Sequence, residues 1–160
     1  MSSAVDEARP LLARALPQDG TVESLLTSLG DLRDRPFKLV SAVLTRGTSG
    51  LWLPRSDHDV LIYPQDASPL RRTAILCHEV AHVLLGHSPA LHASISALSL
   101  SALAPDIAPH VTLSYLARTD YSTPEEVAAE QFGTEICVEL AAMRNQHAWV
   151  SQGRITGHLR

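Results

Sequence analysis

Five consecutive residues carry the densest chemistry in this chain: His78, Glu79, Val80, Ala81 and His82 form the pattern HExxH. On a helix the i, i+4 spacing puts both imidazoles on one face, so two ring nitrogens can meet one divalent cation. Glu79 then projects beside them toward a water whose pKa zinc lowers, and can take its proton as that water attacks a peptide carbonyl. The expected cofactor is Zn²⁺, one per chain. Five residues also match a pattern by chance, in which case His78 and His82 are ordinary, partly buried histidines. The apolar seat of Ile75, Val80, Ala81, Val83 and Leu84, inside a run with helical spacing, favours the metal.

A catalytic zinc takes three protein ligands and keeps one position open, so a further donor is required. A third histidine six residues after His82 would serve, but Ser88 stands there and His87 misses the register by one. His87 reads as a helix-end histidine, favourable near the negative end of the dipole. The better donors lie downstream, where Ala129, Phe132, Gly133, Ile136, Cys137 and Leu140 make a small-to-apolar helix face. Glu126 points within the edge of that face, and Glu130 sits about 40° further out. A carboxylate on a core-facing edge needs a partner. A cation would satisfy Glu126, and Glu130 could accept the outer N–H of a ligating histidine. Alternatively Thr123 and Glu126 form a capping box, and Glu130 becomes the ligand candidate. Glu135 and Glu139 fall on the opposite, solvated side.

Other residues with chemical side chains carry no motif. His92, His110, Tyr115 and Tyr121 lie between the two candidate helices and read as packing or surface. Cys77 points about 100° away from His78 and reads as a small core residue. Asp57-His58-Asp59 reads as a hairpin tip.

These residues need elements to position them. Helical spacing over Ala4 to Leu16, then again from Thr21 to Leu32, predicts two N-terminal helices broken by Pro17 to Gly20. Three short apolar runs follow, at Phe37 to Leu44, Leu51 to Leu53 and Val60 to Tyr63. The turn residues between them predict a small antiparallel sheet, with Pro54 and Pro64 at strand ends or on an edge. Ser68-Pro69 opens the HExxH helix, expected from Pro69 to Leu85 with Gly86 as its left-handed cap. Thr123-Pro124 opens the second site helix, expected to end near Arg144. Residues 151–160 are expected to form a flexible tail.

Composition sets the outer limits. The 160 residues, 45% of them hydrophobic, suit one domain with one core, here assigned to residues 1–160 with its centre at about 20–145. The net charge is −4 and the 13 basic residues are scattered, which argues against direct nucleic-acid binding. Ala90 to Ala104, the most apolar long stretch, is too short and too interrupted to span a membrane. Two cysteines sixty residues apart make no disulfide framework or CxxC pair. With no secretory signal at the N-terminus, the expected location is cytoplasmic.

The order Leu51-Trp52, a strand pair, HExxH followed by LLGH (Leu84 to His87), a spacer, then ExxAExFG from Glu126 to Gly133 resembles the ImmA/IrrE family of zinc metallopeptidases. The likeness covers residues 20–145. It implies an α+β, zincin-like fold in which His78, His82 and Glu126 bind zinc and Glu79 is the general base. Glu130 stands where the family often has Asn or Asp, and Gly133 replaces a common Ala, which reads as harmless. The resemblance further implies an endopeptidase that cleaves or disables a separately encoded helix-turn-helix repressor, and so a role in transcription regulation. The rival expectation is a zinc-stabilised protein that sequesters a transcription factor or toxin partner without cutting it.

Overall fold

Helix starts follow the hydroxyl side chains. In a computed structural model of the chain, which describes residues 3–44, 49–88 and 123–156, Ser3, Thr21, Ser68 and Thr123 each accept a backbone N–H three residues on, at 3.2 Å. These bonds satisfy amides that the first helical turn leaves without a partner. The helices they open are α1 (Ala4–Ala15), α2 (Val22–Arg33), α3 (Pro69–Leu84) and α4 (Pro124–Thr156). Leu85 caps α3 and Gly86 follows at φ +68°, the left-handed conformation that glycine adopts without a Cβ penalty.

The strands are β1 (Phe37–Ala42), β2 (Leu51–Pro54) and β3 (Asp59–Pro64), in the order β1-β3-β2. The expectation of an antiparallel sheet is corrected here, because the sheet is mixed. β1 runs parallel to β3, pairing Leu39 with Leu61, and β2 runs antiparallel to it, pairing Trp52 with Leu61. The reason lies in the unbroken run Val60-Leu61-Ile62. All three are buried, Leu61 in the main core and its neighbours in a smaller cluster with Ala42, Leu51 and Leu53. A strand covered on both faces belongs in the middle of a sheet. Pro54 and Pro64 each end a strand, as the missing amide requires.

The main core joins α1 and α2 to α3 and α4 through Leu12, Leu25, Leu29, Leu76, Phe132 and Leu140. The fold is thus α+β, with four helices and one three-stranded sheet among the described residues. α3 and α4 share the largest contact between helices, and that contact positions the site. α4 runs well past Arg144 to Thr156, which corrects the expected end and makes residues 151–156 helical. Apolar periodicity fades after Leu140, but no proline or glycine interrupts the chain until Gly153, so the backbone keeps its ladder while Trp149 and Val150 stay exposed. His92, His110, Tyr115, Tyr121 and residues 157–160 lie outside the described residues. No described helix is long and apolar enough to cross a membrane.

Candidate metal centre

The close crossing of α3 and α4 is permitted by Gly133. A Cβ there would stand 3.0 Å from His78 Cα and 3.2 Å from its amide nitrogen, so the backbones touch where a side chain would hold them apart. Glycine in place of the family's common alanine suits this close approach. Alanine would push against backbone, which cannot swing aside as a side-chain end can.

Across that crossing, three donor atoms converge. His78 Nε2 and His82 Nε2 lie 3.1 Å apart. Glu126 reaches from α4 with Oε2 at 3.4 Å from the first nitrogen and Oε1 at 3.4 Å from the second. Helical rise explains the pairing of the histidines, four residues and about one turn apart. His78, His82 and Glu126 form a group that could hold one metal ion. Glu126 takes part in the helix cap through its backbone and not through its side chain. Its backbone N–H is bonded to the Thr123 hydroxyl, while its carboxylate faces the imidazoles.

Two side chains stand behind the donors. Glu130 Oε2 lies 3.4 Å from His78 Nδ1 without forming a hydrogen bond, and that nitrogen is buried without a partner. The carboxylate of Glu130 is largely exposed, so a small rotation brings it into reach. On the other histidine, His82 Nδ1 lies 3.0 Å from His87 Nδ1. The sequence points to Glu130 as an acceptor for a histidine, and the structure sets it near His78 without a hydrogen bond, whereas the position of His87 behind His82 was not expected. The available signal was Gly86, because a glycine just beyond a helix folds the next residue back over the last turn.

Glu79 is buried beside the cluster, and a Cβ on Gly50 would stand 3.1 Å from its Oε1, which puts the carboxyl next to the start of β2. Burial pushes Glu79 up to about 7, against the opposing pull of His78 and His82. Hydrogen bonds from His78, then His82, hold Glu126 well below the ordinary carboxylate range. Burial works to lower His78, but the carboxylates of Glu126, Glu79 and Glu130 outweigh it and raise it. Carboxylates thus gather around imidazoles that are neutral above their pKa, leaving negative charge that a cation would balance.

The remaining site candidates fall elsewhere. Cys77 is buried in the core, as expected, and a hydrogen-bonding interaction with the free thiol of Cys137, together with burial, pushes its own thiol up. Glu135 pairs with Arg9 on the surface. Asp57 and His58 form a turn, whereas Asp59 begins β3 and is fully buried, so the reading of all three as a tip is corrected for Asp59. The molecule so defined is an α+β domain with a two-histidine, one-carboxylate cluster between two helices. Comparison with family models, curated proteins and solved structures finds no match for the chain. The likeness to ImmA/IrrE peptidases thus rests on the sequence motifs.

Proposed function

We propose that this chain is a zinc-dependent endopeptidase of the HExxH type, with His78, His82 and Glu126 as zinc ligands and Glu79 as general base. The observation that carries this reading is the convergence of three side chains, with the two imidazole nitrogens 3.1 Å apart and each Glu126 oxygen 3.4 Å from one of them. Tetrahedral zinc with bonds of about 2.0–2.1 Å has edges of about 3.3–3.4 Å between its ligands. The donor set is also right, with two imidazole nitrogens and one carboxylate leaving a fourth position open. The chemistry that zinc supplies there is Lewis acidity toward water and a peptide carbonyl.

The chain's own residues do the rest. Glu79, with a pKa near 7, accepts a proton from water as the oxygen attacks the carbonyl carbon. When the C–N bond breaks, the same carboxyl returns that proton to the leaving amine. Glu126 supplies negative charge to the cation and ties its position to α4. β2 is an edge strand that begins beside Glu79, and an extended substrate can pair with it by strand addition. The substrate, on the family resemblance, is a separately encoded helix-turn-helix repressor, cut or disabled in the cytoplasm.

Purified protein should contain about one zinc per chain by mass spectrometry. Glu79→Gln should keep the metal and lose cleavage of a helix-turn-helix regulator encoded beside it, in a co-expression assay. A partner bound tightly but left intact by zinc-loaded wild type would favour sequestration and overturn the peptidase reading.

A further inference from the structure

The C-terminal end of α3 does more than stop a helix. Gly86 N–H donates to the Val83 carbonyl at 3.2 Å, and His87 N–H donates to the His82 carbonyl at 3.0 Å. This double bond pattern, with the left-handed residue at Gly86, is the Schellman motif, in which the second residue past the cap lies against the third residue before it. Here those two residues are His87 and His82. An apolar pair often fills these positions, but in this chain they are two imidazoles whose Nδ1 atoms stand 3.0 Å apart with ring centroids at 5.1 Å.

We propose that His87 is a positioning residue for His82, accepting a hydrogen bond from His82 Nδ1–H and thereby aiming His82 Nε2 at the metal. This rests on the metal reading above. The tautomers follow from a count of protons. A nitrogen that binds metal carries no hydrogen, so His82 must hold its proton on Nδ1. The neighbouring Nδ1 of His87 then has to be an acceptor, and His87 carries its own proton on Nε2. The opposite arrangement, with His87 Nδ1 donating, would put the His82 proton on Nε2, where the metal belongs.

The same geometry excludes His87 as a ligand in this arrangement. Its Nδ1 is turned to the outer nitrogen of His82, and the three converging donors are complete without it. Only His82 has an outer partner in hydrogen-bonding position, His87, whereas Glu130 stands 3.4 Å behind His78 without bonding to it. The two differ in kind. Glu130 comes from the neighbouring helix, whereas His87 is delivered by the fold of α3's own terminus, so helix termination and ligand orientation share one device.

The test is zinc affinity, measured by chelator competition on the full chain. His87→Phe fills similar space without an acceptor and should weaken zinc binding by about 10–100-fold, the usual effect of losing an outer partner. His87→Asn sets a carbonyl oxygen where Nδ1 stood and should recover most of the loss, which a role in packing would not predict. Nitrogen NMR of the zinc-loaded wild type should show His82 protonated on Nδ1 and His87 on Nε2. Equal zinc affinity in wild type and His87→Phe, or a His87 protonated on Nδ1, would overturn this inference alone. A wild-type chain with no zinc site would overturn both this inference and the metal reading.

Discussion

Asp59 is fully buried and Glu126 partly so, and the two carboxylates differ in what faces them. Asp59, at the start of β3, receives Arg33 Nη2 at 3.1 Å, Arg35 Nε at 3.0 Å, Arg35 Nη2 at 3.2 Å and Trp52 Nε1 at 2.9 Å. Two guanidinium groups balance one carboxylate there, and the fork of Arg35 also holds the carbonyls of Ser56 and His58. Among the described residues, the Glu126 carboxylate faces imidazoles, at 3.4 Å. In the first cluster permanent charges already face the carboxylate, although Arg33 Nη1 is buried without a partner. The second has its acceptors converging on one another, an arrangement stable in water only when a cation or a proton sits among them. A buried carboxylate is therefore a structural clamp or a binding group according to what faces it.

Breaking each carboxylate separates the two roles. Asp59→Asn keeps the shape and leaves Arg33 and Arg35 without their counter-charge, so unfolding free energy should fall by about 3 kcal/mol, visible in denaturant melts. Zinc affinity should change little, because the clamp joins the ends of α2, β2 and β3 and not the α3–α4 crossing. Glu126→Gln should do the reverse. Zinc affinity should drop by more than about 100-fold, beyond the usual cost of losing an outer partner. The metal-free fold should lose only about 1 kcal/mol, a typical net hydrogen-bond contribution. If Glu126→Gln unfolded the metal-free protein as strongly as Asp59→Asn does, the contrast between clamp and binding group would collapse.

The contrast also separates what the sequence discloses from what it conceals. His78, His82 and Glu126 were legible because their relation is set by helical periodicity, a local rule, and by the small-to-apolar face that turns Glu126 inward. The helix starts were legible for the same reason, since Ser3, Thr21, Ser68 and Thr123 act on amides three residues away. Strand order was not legible. Turn residues between three apolar runs fit a meander as well as they fit β1-β3-β2, and only burial on both faces of Val60 to Ile62 decides between them. Asp59 was concealed because its partners Arg33 and Arg35 lie more than twenty residues back, while its neighbours Asp57 and His58 do form the turn that composition suggests. His87 was legible in principle. Its place follows from Gly86, but a search limited to the register of a third ligand passes over it.

Acid provides the smallest and finest distinction. Burial by itself would raise the Asp59 pKa, but the hydrogen bonds of Arg35, Trp52 and Arg33 outweigh it and hold it below the usual carboxylate value. A depressed folded value means that the folded state binds the proton less readily than the unfolded chain does. The stability that Asp59 contributes is thus fully present above the unfolded value of about 3.9 and is lost as pH falls through the lower, folded value. Protonation leaves the oxygens in place as weaker acceptors, so the loss should be smaller than that caused by the asparagine substitution at neutral pH. Melts of the metal-free chain from pH 6 downward should show wild type and Asp59→Asn converging below pH 4, since the variant has no proton to bind at that position. Parallel curves across that range would mean that Asp59 binds its proton equally well in the folded and unfolded states, and the arginines would then give its charge no net stabilisation.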